Sequence, residues 1–236
     1  SVVALNKMNG ELIWKSESDG GLRAYVSPTI YTWLDFRYIL TVTGTNLLAL
    51  DPNSGEIIWK YTYYDEDLWK WQPGLIWVNT PVFHENQIWI SKGYDYPAVM
   101  LVMDSSGQFV SEKFVDQTFD THHHGTILLD GYLYGSNWIN NGKGKWVCMN
   151  WERGEICWVH DWENKGSIIY ADGMLYLYEE KRGNVALVRP DPDKFDMVSS
   201  FKIKKGSGPH WSHPFIAHGK LYLRHGNWMG VYSIRK

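Results

Sequence analysis

Apolar and polar positions along the chain fall into short alternating runs divided by turn residues, and no stretch keeps a 3.6-residue apolar period. Two kinds of unit take turns. The first is ALNKMNGELIW (4–14), ALDPNSGEIIW (49–59) and CMNWERGEICW (148–158): a small residue, an apolar one, Asp or Asn, a turn with Gly, then an apolar stretch ending in Trp. LVMDSSGQFVSEKF (101–114) keeps Asp104 and Gly107 without the Trp, and LVRPDPDKFDMVSSF (187–201) keeps little beyond the hairpin. The second kind is TPVFHENQIWIS (80–91), TILLDGYLYGS (126–136), SIIYADGMLYLY (167–178) and HPFIAHGKLYLR (213–224), with SPTIYTWLDFRYILTVTG (27–44) as a version with a longer turn. Both kinds predict β-hairpins. Asp or Asn accepts a hydrogen bond from the backbone two residues on and starts a turn, and Gly supplies the positive φ that closes it.

Taken together, the two units give four strands, A to D, in each repeat. Self-similarity at this period with four strands per repeat is the make-up of a β-propeller blade. The expected fold is therefore an all-β propeller of four-stranded antiparallel blades, as a single domain over 1–236. Residues 27–61, 79–114, 123–160 and 167–203 supply four blades, 2–15 supply strands C and D, and 212–234 supply A, B and C. Trp14, Trp59 and Trp158 are expected to be buried between neighbouring blades, with Asp51, Gly55 and Gly154 forming turns.

The Ala-Leu-Asp…Gly…Trp motif resembles the PQQ-like (quinoprotein-like) β-propeller repeat family, which includes the quinoprotein dehydrogenases and the periplasmic outer-membrane assembly propeller. The likeness runs along nearly the whole chain. The ending SHPFIAHGKLYLRHG (212–226) is similar to that of secreted bacterial propellers of unknown function. The resemblance implies six to eight blades, so the chain is expected to be part of a longer protein or to be completed by a partner. It also implies a periplasmic or cell-surface location, and PQQ with calcium as cofactors of the enzymatic members. Those members carry adjacent cysteines and a calcium set of Glu, Asn and Asp near a catalytic Asp, and none of these is matched here. The expected function is thus a non-catalytic binding or scaffold module for a protein or a glycan or other small ligand. A divergent PQQ-binding oxidoreductase is the alternative.

Composition narrows the classes further. Among 236 residues are 14 Trp, 15 Tyr and 8 Phe, which suits pleated, half-buried surfaces. The net charge of −3 comes from interspersed acids and bases, so nucleic acid is not expected as a partner. No apolar run approaches the roughly 18 residues of a membrane span. The opening SVVALN lacks the charged and apolar pattern of a signal peptide. Gly-x-Ser-x-Gly, His-Glu-x-x-His and phosphate-loop motifs do not occur, and no catalytic residue is assigned.

The candidate chemistry lies in THHHGT (121–126) and PHWSHP (209–214), both placed on strand D-to-A connections that open onto the channel face of a propeller. Counting back from the turn glycines 131 and 219 sets His122 level with His210, His123 with Trp211 and His124 with Ser212. His122, His124, His210 and His213 are then expected at the channel mouth, flanked by Trp138, Trp211 and Trp228. Asn137, Asn227 and Arg224 would hydrogen-bond the edge of a ligand. Neighbouring residues of an extended chain point to opposite sides, so the three consecutive histidines are not expected on one ion. No carboxylate recurs at zinc-motif spacing either. No metal is assigned, although those four histidines are the candidates for one. An anionic or sugar-like ligand is favoured, and ordinary imidazoles would bind an anion more tightly at about pH 5.5 than at pH 8.

Each of these has a plainer alternative. In that alternative the imidazoles satisfy backbone groups at crowded strand entries, and Trp138 and Trp228 pack between blades. The long connection 62–77, with Tyr63, Tyr64, Trp69, Trp71 and Trp77, is either a contact surface or packing. If Asn150 pairs with Glu155, Cys148 and Cys157 face each other across strands C and D, within disulfide range; otherwise they are two small buried hydrophobes.

Overall fold

The computed structural model describes residues 1–63, 76–108 and 110–235. Its regular elements are all β-strands, in six antiparallel sheets whose strands follow one another in chain order. Strands β1 (Val3–Leu5) and β2 (Leu12–Lys15) pair alone. Four-stranded sheets are built from β3 (Thr29–Trp33), β4 (Phe36–Val42), β5 (Asn46–Leu50) and β6 (Ile57–Thr62), and from β7 (Val82–His84), β8 (Gln87–Ile90), β9 (Ala98–Met103) and β10 (Val110–Asp116). Two more comprise β11 (Thr126–Leu129), β12 (Tyr132–Ser136), β13 (Trp146–Asn150) and β14 (Ile156–His160), then β15 (Gly166–Ala171), β16 (Met174–Glu179), β17 (Asn184–Arg189) and β18 (Asp196–Lys202). A three-stranded sheet of β19 (Phe215–Ala217), β20 (Lys220–His225) and β21 (Trp228–Ser233) ends the chain. Among the described residues no helix is long and apolar enough to cross a membrane. The chain divides into two compact units, Ser1–Lys92 with Ala98–Val115, and Gly93–Pro97 with Asp116–Lys236.

The Asp/Asn-Gly hairpins fold by one local rule. Asp51 Oδ1 accepts from the amides of Asn53 (2.8 Å) and Ser54 (2.7 Å), and Asn150 Oδ1 from those of Glu152 (3.1 Å) and Arg153 (2.9 Å). The turns close with Gly55 and Gly154 at φ of 77° and 70°. Ala4, Ala49 and Cys148 lie directly across the ladder from Trp14, Trp59 and Trp158, which explains the small residue at the start of the motif. The indole is wide, and its partner must be narrow.

In the first unit Trp14 donates to the Pro52 carbonyl (3.0 Å), and a Cβ added to Gly55 would stand 2.4 Å from the Trp14 ring. Trp59 is buried, 6% exposed. In the second unit Trp158 donates to the Asp191 carbonyl (2.9 Å) and meets Phe195 edge-on at 5.6 Å. Trp14 and Trp158 are half-buried, so these two anchors cap the neighbouring hairpin more than they fill a core.

Every Trp hairpin also carries a bulge just before its Asp or Asn, at Ala4/Leu5, Ala49/Leu50 and Cys148/Met149. This corrects the direct cysteine pairing. Asn150 does receive its hydrogen bond register with Glu155, its amide donating to the Glu155 carbonyl at 2.8 Å. Met149 then pairs with Ile156 and Cys148 with Trp158, leaving Cys157 as the extra residue of the bulge. Both thiols are free, Cys148 buried and Cys157 exposed.

Candidate functional site

The site lies in the second unit and is assembled from five connections. The segment after β10 turns because Asp116 Oδ1 accepts from the amides of Thr118 (3.0 Å) and Phe119 (2.5 Å). It is tied to the β12–β13 connection by Asn137, whose Nδ2 donates to the Thr118 carbonyl at 2.8 Å. The chain then bends at 123–124, and Gly125 takes φ 73° before β11 starts. That bend breaks the alternation assumed for an extended chain. As a result His123 and His124 turn the same way, and their ring centroids lie 4.0 Å apart.

Both imidazoles face Glu180, the first residue after β16. His124 Nε2 is 3.1 Å and His123 Nε2 3.6 Å from Glu180 Oε2. Lys165, just before β15, places Nζ 2.8 Å from the other oxygen, Oε1, and donates to the Asn140 carbonyl at 2.8 Å. The connection 203–214 adds two contacts. Trp211 donates its indole N–H to Glu180 Oε2 (3.2 Å), and His213 Nε2 lies 2.9 Å from the His123 carbonyl.

Lys165, Glu180 and His124 are buried, so a charge pair is enclosed with its hydrogen-bond partners. Burial alone would raise the Glu180 carboxyl, but the hydrogen bonds from His124 and Lys165 and the adjacent Lys165 ammonium outweigh it and hold the group well below the usual carboxylate range. Burial, with the neighbouring imidazoles adding to it, lowers His122 to about 4 and His123 to about 3. Burial lowers the fully enclosed His124 as well. His122 and His123 stay neutral at pH 5.5, so the tighter anion binding expected there from ordinary imidazoles does not follow from these two rings. The expectation assumed solvated rings.

Of the four histidines grouped from sequence, His124 and His213 come to this site, on Glu180 and on the His123 carbonyl, while His122 and His210 pack on other partners. His122 sets its ring 4.4 Å from that of Tyr94 and 4.5 Å from that of His123. Tyr94 and Asp95 hold positive φ of 65° and 60° beside Gly93, whose Cα would place a Cβ 2.9 Å from His122. His210 is buried against Tyr178, with Nδ1 2.5 Å from the hydroxyl, and stacks on His225 at 3.5 Å. His225 in turn sets Nδ1 and Nε2 at 2.7 and 2.6 Å from the Lys205 and Gly208 carbonyls, fixing the 203–208 segment. Burial, aided by the neighbouring His225, lowers His210 to about 4.

Trp138 is buried with its ring 5.5 Å from Tyr94, and Trp228 packs against the cluster around Tyr178 and Leu223. Asn137 is buried, while Asn227 is exposed. Trp211 differs from the other two tryptophans: 57% of its surface is exposed. Running on from it is a cleft of about 220 Å³ lined by Ser212, His213, Phe215, Tyr222, Arg224 and Met229, among others. Phe215 and Tyr222 stack there at 4.3 Å.

Tyr64, Trp69 and Trp71 of the aromatic connection lie outside the described residues. Tyr63 and Trp77 are buried in the first unit and meet edge-on at 4.9 Å. The sequence reading missed His123, Lys165 and Glu180. Glu180 had one available signal, since it sits on a strand B-to-C connection, which shares a propeller face with the D-to-A connections.

Sheets of this pattern, with an all-β chain, define a β-propeller-type protein. The solved structures it is similar to agree. BamB from Moraxella catarrhalis matches 97% of this chain and 77% of its own at 14% identity and a TM-score of 0.53. A putative 6-phosphogluconolactonase from Bacteroides uniformis ATCC 8492 matches 98% and 72% at 14% identity and 0.63. A complex of KlAtg21 with the coiled coil of AgAtg16 matches 93% and 69% at 11% identity and 0.57. At these identities the likeness is one of fold. No family model matches the chain, and no curated protein matches it.

Proposed function

We propose that the chain is a non-catalytic binding propeller that takes a glycan on Trp211 and in the cleft beside it. One observation carries this reading: Trp211 has its indole N–H bound to the buried Glu180 carboxylate while most of the ring remains exposed. A tryptophan at a surface usually gains by burying its ring. Here the polar edge is fastened inward and the ring is left open, which pre-pays the ordering cost of an aromatic platform. The C–H face of a sugar ring matches such a platform, and its hydroxyls would find Ser212, His213 and Arg224 along the cleft. The likeness to BamB is compatible with a binding or scaffold role and adds no ligand. The resemblance of the ending SHPFIAHGKLYLRHG (212–226) to secreted bacterial propellers supports an extracytoplasmic setting for this role.

The test is a glycan array probed with labelled chain, followed by calorimetry on any saccharide retained. Wild type should bind at least one saccharide class, and Trp211→Ala should weaken it about tenfold or more, equivalent to about 1.4 kcal/mol. Trp228→Ala, with comparable folding, should bind as wild type does. An array without hits, or full affinity in Trp211→Ala, would remove the proposal.

A further inference from the structure

We infer that His123, His124 and Glu180 form a site for one divalent transition cation, with zinc the best match. The sequence offered no carboxylate at zinc-motif spacing, but the fold supplies one from a different sheet, 56 positions along the chain from His124. The ligand atoms of these three residues all lie within 4.8 Å of one another. In a tetrahedral zinc site with bonds near 2.0–2.1 Å, donor atoms stand about 3.3 Å apart. The two distances to Glu180 Oε2, 3.1 and 3.6 Å, bracket that edge. Binding would replace the hydrogen bond between His124 and Glu180, and the donor atoms of His123 and His124, within 4.8 Å of each other, would close around the ion.

The surroundings suit a ligand set as well as its members do. Lys165 holds Oε1 of Glu180, so the carboxylate presents its other oxygen to both imidazoles. Trp211 donates to that same oxygen from outside, and His213 reaches the His123 carbonyl and so supports the bend that aligns the rings. Outer contacts of this kind fix the orientation of metal ligands and tune affinity.

Access is one-sided. The His124 side chain is 0% exposed and that of Glu180 5%, whereas His123 is 20% exposed. A fourth coordination position therefore opens beside His123, toward Trp211, whose ring is 5.4 Å away. Lys165 already balances Glu180, so a bound ion adds two uncompensated positive charges, and the open position favours an anionic fourth ligand such as hydroxide or a carboxylate. Two imidazoles with one carboxylate select zinc, cobalt or nickel over calcium and magnesium, which require oxygen ligands.

This site does not rest on the glycan reading, since glycan binding can be measured in EDTA. The experiment uses untagged chain stripped with EDTA and titrated with zinc by calorimetry, with cobalt as an optical probe. One equivalent of zinc should bind, and cobalt should give the visible bands of a four- or five-coordinate N/O site. His123→Ala should weaken zinc about tenfold or more, and His123→Ala/His124→Ala should abolish the site while the far-UV spectrum stays unchanged. Tryptophan emission should shift on binding, through Trp211, and calcium should leave it unmoved. A stripped chain that takes up no zinc, or a double variant with wild-type zinc affinity, would overturn the inference.

Discussion

The hairpin turn at 51–56 and the bend at 121–125 are short reversals of similar length, yet they are held by opposite means. Asp51 closes its turn with atoms no more than three residues away, through the Asn53 and Ser54 amides and the Ser54 hydroxyl. His123 and His124 are held by Glu180, 56 or so positions on, and by His213, 90 positions from the carbonyl it meets. The first turn would form in a peptide-sized segment; the second exists only once two further sheets are in place. A local turn can be repeated through the chain with the same few residues. A bend fixed by distant partners is particular to one place, which is what a binding site requires.

Glu180→Ala probes the long-range end of this contrast and carries one of the two largest effects. It leaves the Lys165 ammonium buried without its counter-charge and should cost about 3–5 kcal/mol in urea unfolding. Lys165→Met/Glu180→Leu should recover much of that loss, because the pair's burial costs much of what its attraction returns. A single variant as stable as wild type would show that the network is not structural. Trp59→Ala tests the core behind a local hairpin, and loss of a ring that is 6% exposed should cost about 3–5 kcal/mol. A full-strength unfolding midpoint would show that this motif Trp anchors nothing.

Acid separates the two regions next. Folded-state values near 4 for His122 and His210 and near 3 for His123 lie below the ordinary value of 6.5. The unfolded chain therefore takes up protons first as pH falls. The stability these rings contribute is complete above about pH 6.5 and declines toward pH 3–4, at up to about 1.4 kcal/mol per pH unit for each ring. Asp51 is lowered by the Ser54 amide bond, so its contribution survives until the pH drops below the ordinary carboxylate range near 4. The urea midpoint should fall between pH 7.5 and 5, and hydrogen exchange should report the loss in the second unit while the 51–56 turn stays protected. A midpoint flat over this interval would mean the imidazoles are solvated.

The smaller effects come from local substitutions. Asp51→Ala removes three acceptor contacts at a partly exposed turn and should cost about 1 kcal/mol, read from the shift in melting temperature. Cys157→Ser, at the exposed bulge position, should stay within about 0.5 kcal/mol of wild type whether or not reductant is present. A larger destabilisation that depends on oxidant would mean that the two cysteines bond despite the bulge.

What could be read from the sequence follows the same division. Asp or Asn, Gly and Trp at fixed spacing each act within their own hairpin, so the strands, their antiparallel order and the turn chemistry at Asp51 and Asn150 were legible. The bulge was not, because it shifts the ladder by one residue without needing a special residue type, and it moved Cys157 out of register with Cys148. The location of THHHGT on a connection was also legible. Which of its rings meet Glu180 was not, since alternation holds only for extended chain and the bend at 123–124 brings His123 beside His124. Glu180 and Lys165 belong to other sheets, and no local pattern marks them as partners of the triplet.

The central claim, that Trp211 is a fastened platform for a sugar ring, is tested most directly by its indole N–H resonance. In a two-dimensional ¹H–¹⁵N spectrum of the labelled chain, Trp211→Phe identifies that signal among the 14 tryptophans. Titration at pH 7.5 with the saccharide retained on the array should shift the Trp211 signal in a saturable way while that of the buried Trp59 stays in place. Binding that saturates with the Trp211 signal unmoved, or that shifts other indoles in its stead, would contradict the account.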